Sequence, residues 1–305
     1  MNKFRKFAFL TTVATYILIF IGGLVRVSGA GLGCPDWPKC FGRWIPPLNI
    51  DRLPPEIDPS AFNFTLAWIE YFNRLAGIVI GILILITAIL AIRNYRRVKS
   101  IVYPSIAAAL LVAYQGWQGS VVVSSKLEPF IVSVHTVLAL IIVSLLVYVT
   151  QRAYYLELGV TTVADLFPKK ISRESATLWG AAILQALLGT RVRSAVEELR
   201  RAHPLSSDLD LMGMLSPEFY VHIVLGLLVI GFTFHIARAL LKKSEQLPGL
   251  VRQSIYGMVI LMMAQLVLGF ALIVIGMPAL IQVFHLWAAS LFVGLNLVLY
   301  TALKR

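Results

Sequence analysis

Gln115-Gly116-Trp117-Gln118-Gly119 opens a stretch that leads to His135, and Gln265-Leu266-Val267-Leu268-Gly269 opens one that leads to His285. Both obey the pattern Gln-x3-Gly-x15-His, and both run through two successive apolar segments. One apolar segment earlier in each half, Asn73-x3-Gly77 pairs with His222-x3-Gly226. Gly22-x3-Arg26 and Gly189-x3-Arg193 extend the match to the first segment of each half. A chain that repeats a helix-borne histidine in this way reads as a duplicated helical bundle.

Outward from these motifs the chain is apolar throughout. It is 58% hydrophobic and 14% charged, with a mean hydropathy of +0.81, which excludes an ordinary soluble domain. Runs near the roughly 18–20 residues needed to cross a bilayer recur eight times. They fall near 7–27, 66–92, 101–123, 129–152, 175–193, 216–241, 251–275 and 279–303. The first is too long for a secretory h-region and counts as a span. The expected fold is an all-α integral membrane protein with eight transmembrane helices in two pseudo-symmetric four-helix bundles. Residues 1–152 form the first bundle, 153–174 a polar connection on the cytoplasmic side, and 175–305 the second bundle. Because four is even, the repeats run parallel, about an axis along the membrane normal.

The net charge of +12 is not a nucleic-acid footprint. Of the 27 basic residues, the clusters at 3–6, 93–99, 152–173, 238–252 and 304–305 fall on alternate connections. The positive-inside rule puts those in the cytoplasm with both termini, in a cell membrane whose anionic lipids they contact. The two cysteines, Cys34 and Cys40, share the first outer connection. That short loop could accommodate a disulfide, since thiols outside the cytoplasm tend to oxidise. Ligation of a metal by two thiolates alone is the weaker alternative.

Asn73, His135, His222 and His285 each lie about six residues inside the outer end of their segment, roughly 9 Å deep. Two imidazoles facing across a bundle can ligate a haem iron from both sides, which makes His222 and His285 candidate bis-histidine haem ligands. The alternative is helix packing through histidine hydrogen bonds, which a repeated, depth-matched set disfavours. Arg26 and Arg193, at matching outer ends, are candidate partners of haem propionates or simply snorkel to headgroups. Arg74 is a propionate partner or a partner of Glu70. Glu70 shares a helix face with Asn73, and a membrane-embedded carboxylate is costly enough to suggest function. Glu218 reads as structural, His203 and His235 as solvated or interfacial, and Gln115, Gln185 and Gln265 as packing contacts between helices.

The stretch Gly22-Gly23-Leu24-Val25-Arg26, then Gly33-Cys34-Pro35-Asp36-Trp37-Pro38-Lys39-Cys40-Phe41-Gly42, resembles the first helix and outer loop of haem A synthases. Glu70-x2-Asn73-Arg74, His135, His222 and His285 extend the resemblance over essentially the whole chain. It implies an oxidoreductase that converts the C8 methyl of haem O into the formyl group of haem A for cytochrome oxidase assembly. The first half would take haem O, with His135 on the substrate iron and Glu70 beside it, and the second half would hold haem b. Implied partners are the haem O synthase (a farnesyltransferase) and an electron donor the sequence does not name, with homo-oligomer formation left open. Two departures stand out. The family usually carries His where this chain has Asn73, which would leave one face of the substrate iron open. The second outer connection, 194–215, lacks the cysteine pair found in many members. The rival readings are a membrane cytochrome b that only passes electrons, and a haem carrier or small-solute transporter; Glu70 counts against the last.

Overall fold

The computed structural model describes residues 3–159, 163–206, 208–214 and 217–304. Among these the chain is helical apart from turns, short 3-10 segments and one isolated bridge between Cys40 and Arg43. The α-helices are α1 Lys3–Val27, α2 Phe64–Tyr95, α3 Lys99–Ser124, α4 Pro129–Leu158, α5 Lys169–Ala202, α6 Asp208–Gly213, α7 Pro217–Leu241, α8 Gly249–Ile275 and α9 Ala279–Leu303. Seven of them (α1–α4 and α7–α9) are long and apolar enough to cross a membrane. An α-helix satisfies its own backbone, as hydrocarbon requires, and the chain is a multi-pass membrane protein.

The remaining long helix, α5, has 34 residues and is not among the seven. It was expected to end at 193, yet it continues to Ala202. The connection expected at 194–215 is therefore helical up to Ala202 and again over α6. Hydropathy marks affinity for lipid, whereas Ala, Glu, Leu and Arg, which fill residues 195–202 beside Val196, are mostly strong helix formers in any solvent. The polar connection expected at 153–174 is shortened in the same way, because α4 runs on to Leu158 and α5 begins at Lys169.

α1 packs on α2 and α4, α2 on α3, and α3 on α4. Likewise α5 packs on α7 and α9, α7 on α8, and α8 on α9. The two sets meet where α9 lies against α1 and α4, and where α4 lies against α5. Burial of apolar surface gives helices little reason to associate in lipid, so small and polar residues do much of the joining. The Thr87 hydroxyl bonds Thr11 at 3.2 Å and ties α2 to α1. Ser175 donates to Asn296 Oδ1 at 2.9 Å, and Asn296 Nδ2 returns to the Ser175 carbonyl at 3.2 Å, tying α5 to α9. Between the sets, Trp287 Nε1 donates to the Tyr16 carbonyl at 3.1 Å.

Candidate functional site

α7 and α9 are not closely packed neighbours; each reaches the other across its set. His222 on α7 and His285 on α9 meet there, with ring centroids 6.5 Å apart and planes inclined at 65°. Two metal–nitrogen bonds of about 2 Å, plus about 1 Å from each nitrogen to its ring centre, predict a centroid separation of about 6 Å for imidazoles on opposite sides of one metal. The observed spacing matches. Both Nδ1 atoms are buried without a hydrogen-bond partner. A Cβ at Gly189 would stand 3.1 Å from His222 Cε1, and one at Gly269 would stand 3.4 Å from His285 Cε1. The first spacing is tight, the second ordinary contact, and glycine keeps both rings against helix backbone. Both histidines line a cavity of about 390 Å³, within the range of small-molecule sites.

Arg26 and Arg193 line the same cavity. They read as equivalent residues of separate halves, and the structure brings them together. α1 crosses the seam between the sets, so that Gly23 comes against Val283 and Arg26 reaches α5. Arg26 donates to the Ser194 hydroxyl at 3.0 Å and lies 3.7 Å from Glu197. Arg193 holds Glu197 at 2.6 and 2.9 Å through two nitrogens and bonds Gln282 through its third. Glu197 escaped the sequence reading because its segment looked like an exposed connection. Two guanidinium groups and one carboxylate leave a net positive mouth suited to a carboxylate-bearing ligand. Gln185 makes the contact between helices that its sequence setting predicts: its Nε2 donates to the His222 carbonyl at 2.9 Å and stands 3.5 Å from the ring Nε2, so it holds the segment that carries the histidine.

In the other set the structure assembles Glu70, Arg74 and the cysteine loop. Cys34 and Cys40 form a disulfide. The loop docks on the start of α2 so closely that a Cβ at Gly33 would lie 2.2 Å from the Leu66 carbonyl oxygen. No other residue can stand there without moving backbone. Glu70, 4% exposed, accepts from the Cys34 N–H at 2.8 Å and forms an ion pair with Arg74. Arg74 in turn donates to the Asp36 and Lys39 carbonyls at 2.8 and 2.9 Å. Of the two roles open to Arg74, the structure shows the partnership with Glu70. Asp36 closes the loop by accepting from the Phe41 and Gly42 N–H groups at 2.6 and 2.9 Å. Alkylation of denatured, unreduced protein should therefore label neither cysteine. Two modified thiols in the mass spectrum would contradict the pairing.

His135 on α4 donates from Nδ1 to Gln118 Oε1 on α3 at 2.6 Å. Asn73 is half-buried on α2. The four residues expected at one depth differ in their distance from the start of their helix. His135, His222 and His285 lie five or six residues in from Pro129, Pro217 and Ala279. Asn73 lies nine in from Phe64, because α2 starts early to meet the loop. His235 stacks on Phe232 and lies 3.7 Å from Glu174, away from the cavity. Among the described residues no group of three or more His, Cys, Asp or Glu could hold a bare metal ion.

A sequence profile described as "COX15-CtaA: Cytochrome oxidase assembly protein" matches residues 5–297. The chain belongs to that family. It is 34% identical over 134 residues to the heme A synthase of Geobacillus kaustophilus (strain HTA426), covering 44% of this chain and 38% of that protein. Against the heme A synthase of Shewanella oneidensis the figures are 31% over 169 residues, covering 52% and 49%. Against that of Listeria monocytogenes (serovar 1/2a) they are 24% over 152 residues, covering 50% and 45%. The chain thus spans about half or less of the length of each of these relatives. Family membership places the chain among proteins described as cytochrome oxidase assembly proteins.

Proposed function

We propose that this protein is a haem A synthase, oxidising the C8 methyl of haem O to the formyl of haem A, with haem b as its resident cofactor. The facing pair His222 and His285 carries the reading. Their spacing, their partnerless Nδ1 atoms and the glycine-backed cavity fit a haem ligated from both faces. When bound there, haem b supplies a one-electron redox centre. His222 and His285 would hold its iron, and Arg26 and Arg193 would hold its carboxylates. In the first half, His135 takes the iron of the substrate haem. Asn73 would be a weak iron ligand, since an amide binds iron poorly beside imidazole. Glu70 and Arg74 keep the disulfide loop seated over that half. A membrane cytochrome b that only passes electrons would also use the histidine pair. Pigment extracted from the purified protein separates the two, since the synthase yields haem O and haem A beside haem b. Haem b alone, from cells that make haem O, would favour the electron carrier.

We place α5 as an eighth span, which makes two parallel four-helix bundles with both termini in the cytoplasm. At 1.5 Å per residue α5 is about 50 Å long, more than the roughly 30 Å of hydrocarbon. Its packing against α4, α7 and α9 supports a position inside the bundle. Single cysteines introduced at Arg96 and Lys242 should resist an impermeant thiol reagent added from outside. Labelling of either would invert the orientation.

A further inference from the structure

The two halves treat their α3- and α8-borne glutamines alike up to a point. Gln115 Nε2 donates to the His135 carbonyl at 2.9 Å, and Gln265 Nε2 to the His285 carbonyl at 2.6 Å. The offset that carries Gln115 onto Gln265 and His135 onto His285 carries Gln118 onto Leu268. Gln118 has no counterpart, and it is the residue that reaches the His135 ring. Its side chain is buried, with the residue 4% exposed.

The orientation of this amide is fixed by its second bond. Gln118 Nε2 donates to the Ile131 carbonyl at 2.9 Å. Flipping the amide would set Oε1 against that carbonyl oxygen, acceptor against acceptor, so Oε1 must face His135. An acceptor 2.6 Å from Nδ1 requires the proton on Nδ1. A neutral imidazole has only one N–H, which leaves Nε2 with a bare lone pair. In the second half the corresponding Nδ1 of His285 has no partner at all.

We propose that Gln118 is a positioning residue of the first half: it locks His135 in the Nδ1–H tautomer and fixes its ring, so that Nε2 is presented as a ready-made donor to the iron of the incoming porphyrin. A partner on the non-ligating nitrogen orients a ligand and makes it a better base. Gln118 thereby distinguishes the His135 ring, held ready for iron, from the His285 ring, whose Nδ1 has no partner. The claim about the tautomer stands on the hydrogen bonds alone; the claim about iron rests on the function proposed above.

Nitrogen-15 NMR of protein with ring-labelled histidine, prepared without haem, reads the tautomer directly, with His135 assigned by the signals lost in His135→Ala. The expected result is a protonated Nδ1 and a bare Nε2 at His135. Gln118→Leu, which copies the second half, should lose that preference, and Gln118→Glu, which keeps an acceptor for Nδ1 while giving up the bond to Ile131, should retain it. A protonated Nε2 at His135 in the unaltered protein overturns the proposal, even if Gln118→Leu fails to fold. Titration with ferric haem O then tests the consequence: Gln118→Leu should weaken first-half binding about 10–100-fold, with Gln118→Glu restoring most of it. Equal affinity in folded Gln118→Leu would overturn the positioning role. The expected tautomer with no haem O binding in any version would instead sink the proposed function and leave the Gln118 assignment intact.

Discussion

Replacement of His222 or His285 by alanine is expected to abolish the low-spin bis-histidine spectrum of the isolated protein and to stop haem A formation. Under the proposed function each substitution removes one of two ligands, and it leaves the other imidazole facing an enlarged cavity. Loss of an outer-shell partner alone typically costs about 10–100-fold in metal affinity or activity, so loss of a ligand should cost on the order of 100-fold or more. Gly189→Leu offers an independent version of the same test, because it places bulk where His222 Cε1 already lies 3.1 Å from the Cβ position. It should weaken haem retention without touching either histidine. Survival of the bis-histidine spectrum in His222→Ala or His285→Ala would show that other residues ligate the iron.

Glu70→Gln should have a different signature: haem b retained, haem A yield sharply reduced, and the cysteine loop loosened. The amide can still accept from the Cys34 N–H, but Arg74 loses its counter-charge while 14% exposed. Removing one partner of a buried ion pair typically costs about 3–5 kcal/mol. The carbonyls of Asp36 and Lys39, which also accept from Arg74, should soften that cost. Limited proteolysis and the rate of Cys34–Cys40 reduction report the loop, and haem A yield reports the chemistry. If Glu70 acts only as an anchor, Glu70→Gln with Arg74→Gln should be less damaged than Glu70→Gln alone. If the carboxylate takes part in the oxidation, the double variant stays as inactive as the single one. Normal haem A yield in Glu70→Gln would remove this carboxylate from the functional set.

The histidines were legible because polar residues inside an apolar helix are rare and a fixed repeat of them has few structural causes. The Glu70–Arg74 pair was legible as an alternative because four residues make one helical turn. Gln118 carried a weaker signal. It lies three residues from Gln115 and so shares its face, but nothing in the sequence says that its oxygen meets a ring. The helical continuation of α5 was hidden by its charge, and Glu197 with it. Arg26 is the instructive case: sequence assigns a residue its depth in the membrane, not its neighbour across a seam. Its meeting with Arg193 depends on the contact of α1 with α9, which no local pattern encodes.

That crossing by α1 bears on how the duplicated molecule can be taken apart. A polypeptide comprising α5–α9 alone would contain both histidines of the facing pair but would lack Arg26 and Gly23, part of the cavity wall. Made separately and mixed with its missing half, it should recover tight haem retention only as the two pieces reassociate, so the colour of the mixture would titrate with the amount of N-terminal piece. Cutting between the halves removes part of the wall around the facing histidines, so the molecule does not divide into two self-sufficient units.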